Sequence, residues 1–378
     1  MSFIHFGCWN NGFYDKDVPV NGLSLVMNKL ANYIKLNEVN FLVVAGDNYY
    51  DEEGKMKKKA SKLDKLDKLD KPDKLDKPDK KIKNFNYHNF MSGVNCLPDM
   101  KKYILLGNHE FDTLHYDGDG KIMENKTCNL MELEDKIFSS KNTMFFRDVM
   151  LETLENTVII MIDTTIYEFM DDGVEIDKYC NHVFPTVERS YQNIIEYQRN
   201  KIIQIISETK KKNIIIIGHH PIVTVKTKIQ DDGTKKKKNT ILRGLVNLFR
   251  ELKMIISDRN VCYMCADNHL QQMGSVSIDG KEIMQYVAGT GGAVIDSCND
   301  PSDTIVNSGV DVNVVYTVTE CAEKFGFYHV KELSDGKLDF KFIDAINAQN
   351  EPKLLGGYYY KYIKYKKKYV ALKKMKNN

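Results

Sequence analysis

Apolar residues gather in short unbroken runs along the chain, and each run gives way to a polar loop. Phe3–Gly7, Asn40–Ala45, Lys102–Leu106, Thr157–Ile162 and Asn213–Ile217 are the clearest. They are too short for helices and lack the polar alternation of a half-exposed strand. They therefore predict strands buried on both faces. Between several of them the apolar spacing changes to that of a helix. Leu23–Leu36 sets Leu23, Val26, Met27, Leu30 and Ile34 on one face, and Ile194–Ile206 and Ile241–Met254 repeat the pattern. Strands alternating with helices predict an α/β sheet, whose polar sites form at the C-terminal ends of strands. His5 falls inside the first run and reads as a satisfied core histidine.

Two stretches depart from this pattern. Residues 62–79 are six triplets, four Lys-Leu-Asp and two Lys-Pro-Asp. A period of three cannot converge leucines on one helix face, and Pro72 and Pro78 interrupt any helix. This predicts a disordered, solvated insertion over residues 52–83. After Ala348 the pattern stops and a tail of Tyr and Lys follows. The chain divides into a domain over 1–347 and a basic tail over 348–378. Lys235–Lys238 reads as a further exposed loop.

The net charge of +2 over 378 residues conceals an uneven distribution. Residues 55–81 carry twelve Lys and six Asp, and residues 353–378 carry nine Lys and no acid, which leaves −13 on the rest. Such an acidic body repels phosphate esters at long range, so capturing one would depend on local cations. No basic segment precedes the first apolar run, and no run approaches the roughly twenty apolar residues of a membrane span. The expectation is a soluble, intracellular protein with no membrane partner. Eight cysteines show no dense framework and read as free buried thiols, with Cys262 and Cys265 forming a single unpaired C-x-x-C.

The chemistry lies in the loops that end the runs. Gly46-Asp47-Asn48-Tyr49-Tyr50, Gly107-Asn108-His109-Glu110 and Gly218-His219-His220-Pro221 each place metal-binding side chains there. A two-metal hydrolytic site holds its cations about 3.5–4 Å apart, acidifying water and clamping phosphoryl oxygens. It needs one shared carboxylate plus oxygen and imidazole ligands on either side. Asp47 is placed to bridge, with Tyr50 on one metal and Asn108 and His219 on the other. His109 would face the leaving group as general acid or electrostatic clamp. His220 reads as a loop histidine lining the same cleft.

In order and spacing these stretches resemble the calcineurin-like metallophosphoesterases, and most closely their purple, tartrate-resistant acid phosphatase branch, whose extra tyrosine matches Tyr50. Met161-Ile162-Asp163-Thr164, Tyr286–Gly292 and Phe325–Tyr328 extend the likeness. The resemblance implies a sandwich of two mixed sheets flanked by helices. It also implies a phosphate monoester substrate and two divalent or trivalent ions of iron, zinc or manganese.

Two stretches depart from the family pattern at metal ligands. Cys8 stands where the first motif has aspartate. In the fifth, Cys265–Gln271, an alignment without a gap sets Ala266 and Asn268 where two histidines belong. Three alternatives remain open: Cys8 and Asn268 as substitutes, a one-residue shift that presents Asp267 and His269, or a single-metal site of Asp47, Asn108 and His219. The altered ligands imply weak or lost phosphatase activity. The alternative is an inactive pseudophosphatase acting as a scaffold. The tail reads first as a solvated basic tail; its interleaved Tyr and Lys also suit nucleic acid and resemble tails on proteins of large DNA viruses, a resemblance that implies a virion-associated role.

Overall fold

The computed structural model of the protein describes residues 1–11, 14, 21–50, 83–85, 87–111, 114–118, 121–122, 129–138, 142–229, 235–252, 255–256, 258–298, 304–308 and 313–346. The triplets at 62–79 and the tail at 348–378 lie outside them.

Two mixed sheets form the body. The first has six strands in the order Leu338–Asp344, Gly326–Glu332, Ser2–Phe6, Phe41–Ala45, Lys102–Leu105, Thr143–Phe145. The second has eight, in the order Thr304–Ser308, Asn313–Ala322, Gln271–Ile278, Lys281–Ala288, Asn260–Cys265, Asn213–Ile217, Thr157–Met161, Met150–Thr153. Each of the five predicted runs is a strand to within one or two residues, and every residue of those strands is buried. Such continuous apolar runs suit strands covered on both faces. Parallel pairing joins Ser2–Phe6 to Phe41–Ala45 and that strand to Lys102–Leu105. It likewise joins Asn213–Ile217 to both Thr157–Met161 and Asn260–Cys265. The C-terminal ends of five motif-bearing strands therefore point the same way within each sheet.

Helices flank the sheets. Gly22–Leu36 buries Leu23, Val26, Met27 and Leu30, and Asn21 caps it by accepting the Ser24 N–H. Tyr191–Glu208 buries Ile194, Ile202 and Ile206, capped in the same way by Ser190. The third predicted helix starts later than its spacing suggested. It spans Arg243–Leu252, because Ile241 closes a strand.

Three further expectations are corrected. Lys235–Lys238 is not a loop: it opens the strand Lys235–Ile241, which pairs antiparallel with Val223–Ile229 in a separate two-stranded ribbon. The cysteines are not all free. Cys298 and Cys321 form a disulfide, and Cys180 is disulfide-bonded too. Connectivity at a separation of 23 residues has no sequence signature. His5 is fully buried, but neither ring nitrogen has a hydrogen-bond partner among the described residues, so it is not satisfied. Among the described residues no helix is long and apolar enough to cross a membrane.

Candidate metal centre

All five motifs lie at the C-terminal end of a strand, and the strand ends of the two sheets meet across one cleft. Main-chain hydrogen bonds tie the sheets together there: Gly7 N to Ala288 O, Gly291 N to Gly7 O and Ala293 N to Cys8 O. The loops turn sharply at their key residues. Cys8, Asp47 and Asp267 all adopt positive φ, at 52°, 53° and 49°. Non-glycine residues in this region are uncommon and collect at functional sites. Gly107 permits the closest approach. A Cβ there would stand 2.3 Å from Asp47 Oδ1 and 2.8 Å from His219 Cε1, so only glycine lets the second, third and fourth motifs converge.

Asp47 is the centre, 1% exposed. Its Oδ1 accepts the His109 main-chain N–H at 3.1 Å and lies 3.4 Å from His219 Nε2. Its Oδ2 accepts the Tyr50 hydroxyl at 2.5 Å and lies 3.8 Å from His109 Nε2. Glu110 supports this turn from beneath. It accepts the main-chain N–H groups of Gly107, Asp47 and Asn48. Burial, and then the Asp47 carboxylate, push Glu110 up to about 7. Trp9 of the first motif donates its indole N–H to Asn48 Oδ1, joining the first two loops.

The histidines on either side of Asp47 are oriented alike. His219 donates Nδ1–H to the Ala45 carbonyl at 2.6 Å, and His269 donates Nδ1–H to the Val294 carbonyl at 2.9 Å. A carbonyl only accepts, so both rings carry the proton on Nδ1 and turn Nε2 into the cleft. Metal-ligating histidines show this arrangement. Burial alone would lower the His219 pKa, but the facing Asp47 carboxylate outweighs it and lifts it to about 10. Asp47 is held well below the ordinary carboxylate range: burial opposes this, and His219 and His109 override it.

Donor atoms form two groups. The first joins Cys8, Asp47 and His269 within 4.8 Å of one another, and the Tyr50 hydroxyl stands 3.1 Å from His269 Nε2. The second joins His219, His220 and Asp267 within the same limit. Asn108 Oδ1 is buried with no hydrogen-bond partner among the described residues. These buried nitrogen and oxygen donors fit a pair of cations.

The fifth loop explains how Asp267 and His269 reach these groups. Asn268 N–H bonds to Ala266 O, and Leu270 N–H bonds to Asn268 O. These are two successive three-residue turns, with Asp267 and His269 as their central residues. Ala266 is fully buried, and Asn268 is buried with its amide unpartnered among the described residues.

Several contributors carried no sequence signal. Lys226, on the ribbon strand Val223–Ile229, buries its ammonium and pairs with Asp296 at 2.8 Å. Its charge helps to hold Asp267 below the ordinary range against the effect of burial. Asp296 also accepts the His269 main-chain N–H. Thr164 accepts the N–H groups of both His219 and His220, which leaves its own hydroxyl proton for His220 Nδ1. His220 Nε2–H then faces Glu168 at 3.0 Å. His220 thus lines the cleft beside His219, the two rings 4.7 Å apart.

Comparison with known proteins gives a family and a fold. Residues 1–244 match the calcineurin-like phosphoesterase family. A comparison with curated protein sequences finds no match. Among solved structures, the purple acid phosphatase PPD1 from yellow lupin (Lupinus luteus) seeds aligns over 91% of this chain and 51% of its own. The TM-score is 0.51 and the identity 11%. GAP50, the anchor in the inner membrane complex of Plasmodium, aligns over 91% of this chain and 84% of its own, with TM-score 0.45 and identity 16%. The chain thus spans about half the length of the lupin enzyme, and at these identities the likeness is one of fold.

Proposed function

The chain belongs to the calcineurin-like phosphoesterase family, and we propose that it is a metal-dependent phosphomonoesterase whose turnover is reduced by an altered ligand set. The observation that carries this reading is the pairing of His219 and His269 across Asp47, each with Nδ1 spent on a main-chain carbonyl and Nε2 turned inward. In this reading Asp47 would help to hold two ions of iron, zinc or manganese. Asn108, His219 and Asp267 complete one side, and Cys8, Tyr50 and His269 complete the other. Such ions supply a nucleophile at neutral pH and offset charge on the phosphoryl oxygens.

The chain's own residues do the rest. His109, 30% exposed at the cleft, can give a proton to the departing alkoxide. Lys226 brings a fixed positive charge to an otherwise acidic cleft, meeting the need for a local cation. The exchange of a hard carboxylate for the Cys8 thiol is the reason to expect slower turnover.

A second reading, a catalytically inactive scaffold, is favoured by the same Lys226. Its buried ammonium gives Asp267 and Asp296 a counter-charge without any metal. Contact of the tail at 353–378 with nucleic acid or an assembling virion belongs to that reading, and would show as affinity falling steeply with salt.

Hydrolysis of an aryl phosphate by protein supplied with iron, zinc or manganese separates the two. The enzyme reading expects metal-dependent turnover that Asp47→Asn abolishes. Turnover absent under every metal would leave the scaffold.

A further inference from the structure

We propose that the two sides of this cleft select different ions, the Cys8 side taking a thiophilic divalent ion, zinc above all, in preference to ferric iron. The inference rests on the two-metal reading above and adds the identity of the ion. Cys8 Sγ, His269 Nε2, an Asp47 oxygen and the Tyr50 hydroxyl form one donor set of sulfur, nitrogen and two oxygens. The opposite side offers the oxygens of Asp267 and Asp47 and the ring nitrogens of His219 and His220, with Asn108 assigned to it in that reading, and no sulfur.

Position, as well as chemistry, commits the thiol to the cleft. Cys8 N–H bonds to Gly46 O at 3.0 Å, and Cys8 O accepts Ala293 N–H at 3.0 Å. Its backbone is thus held on both sides in the left-handed region. A Cβ on Gly289 would approach Sγ to 3.3 Å, so glycine keeps that side open. The His269 ring cannot turn its Nδ1 into the cleft without giving up Val294 O. Thiolate with imidazole suits zinc and cobalt, whereas carboxylate and amide oxygens suit harder ions such as manganese or magnesium.

The test uses full-length protein stripped of metal and reloaded with cobalt(II), read by absorption spectroscopy. Wild type should show a near-ultraviolet thiolate-to-cobalt charge-transfer band that one equivalent of zinc displaces. Cys8→Ser should lose the band and bind zinc at least about tenfold more weakly on that side. Cys8→Asp should lose the band and gain ferric iron, seen as a visible tyrosinate absorption. Circular dichroism establishes that each variant is folded. Cobalt bound at full stoichiometry without the band, or zinc affinity unchanged in Cys8→Ser, would overturn the inference and leave the two-metal reading intact. No metal bound by wild type would overturn both.

Discussion

The two sides of the cleft are built from different material. The His219 side is made of sheet: His219 is fully buried, its ring bonded to the last residue of Phe41–Ala45, and its main-chain N–H held by Thr164. The His269 side is made of loop. His269 is half-buried, and its ring, N–H and C=O bond to Val294, Asp296 and Asp296, all in one segment that ends at the Cys298–Cys321 disulfide. One side inherits its geometry from strand pairing. The other depends on a clamp that can be cut without touching the core.

That contrast can be broken at its hinge. Asp47 faces both sides, so Asp47→Asn should remove both metals and reduce aryl phosphate hydrolysis by more than the roughly 10–100-fold of a supporting residue. Activity that survives it would mean the sides do not share this carboxylate. The next largest effect separates stability from binding. His219→Ala leaves Ala45 O buried and unpaired, and should cost about 2–4 kcal/mol in denaturant unfolding. His269→Ala should cost under about 1 kcal/mol while losing its metal just as completely.

The clamp itself comes next. Replacing Cys298 and Cys321 together by Ser releases a loop of 23 residues, worth about 3 kcal/mol in the chain-entropy account. Metal on the His269 side should weaken more than metal on the His219 side, which shares only Asp267 with that loop. A smaller effect is expected at Lys226. Lys226→Met removes the cation beside the cleft and should raise KM for a phosphate monoester by roughly tenfold, the size of one charged hydrogen bond, with kcat less affected.

The smallest concerns the strand beneath Cys8. Burial holds His5 near a pKa of about 3, so the folded chain keeps it neutral while the unfolded chain protonates it below 6.5. The stability it contributes is present above 6.5 and is lost as pH falls towards about 3. At one unit below 6.5 the loss should be about 1.4 kcal/mol. His5→Leu should abolish that acid sensitivity in urea unfolding at pH 5.5 and leave metal binding alone.

Much of this architecture was legible because continuous burial writes itself into sequence. The five strands read from the apolar runs are buried throughout, and the metal-bearing loops lie at their C-terminal ends or at the end of Asn260–Cys265. Asp47 and His219 are read from the motifs at those ends, and the structure sets His219 Nε2 3.4 Å from Asp47. The fifth loop was harder, for a local reason. Leu270 and Gln271 anchor an ungapped alignment, but they already belong to the approach of the next strand, whereas two consecutive tight turns decide which side chains face the cleft. Turns of that kind leave no apolar pattern. Lys226 was invisible because a lysine in a strand ordinarily reads as surface, and the carboxylates that make its burial tolerable, Asp267 and Asp296, are 41 and 70 residues away. The disulfide clamp was missed because pairing follows from tertiary proximity.

The most direct measurement is elemental analysis of protein purified without chelator, for wild type, Asp267→Ala and His269→Ala. A cleft completed by the fifth loop should hold two metal ions per chain, and each variant should lose one. Metal-free wild type, or a stoichiometry indifferent to both substitutions, would contradict the claim that Asp267 and His269 rebuild the site.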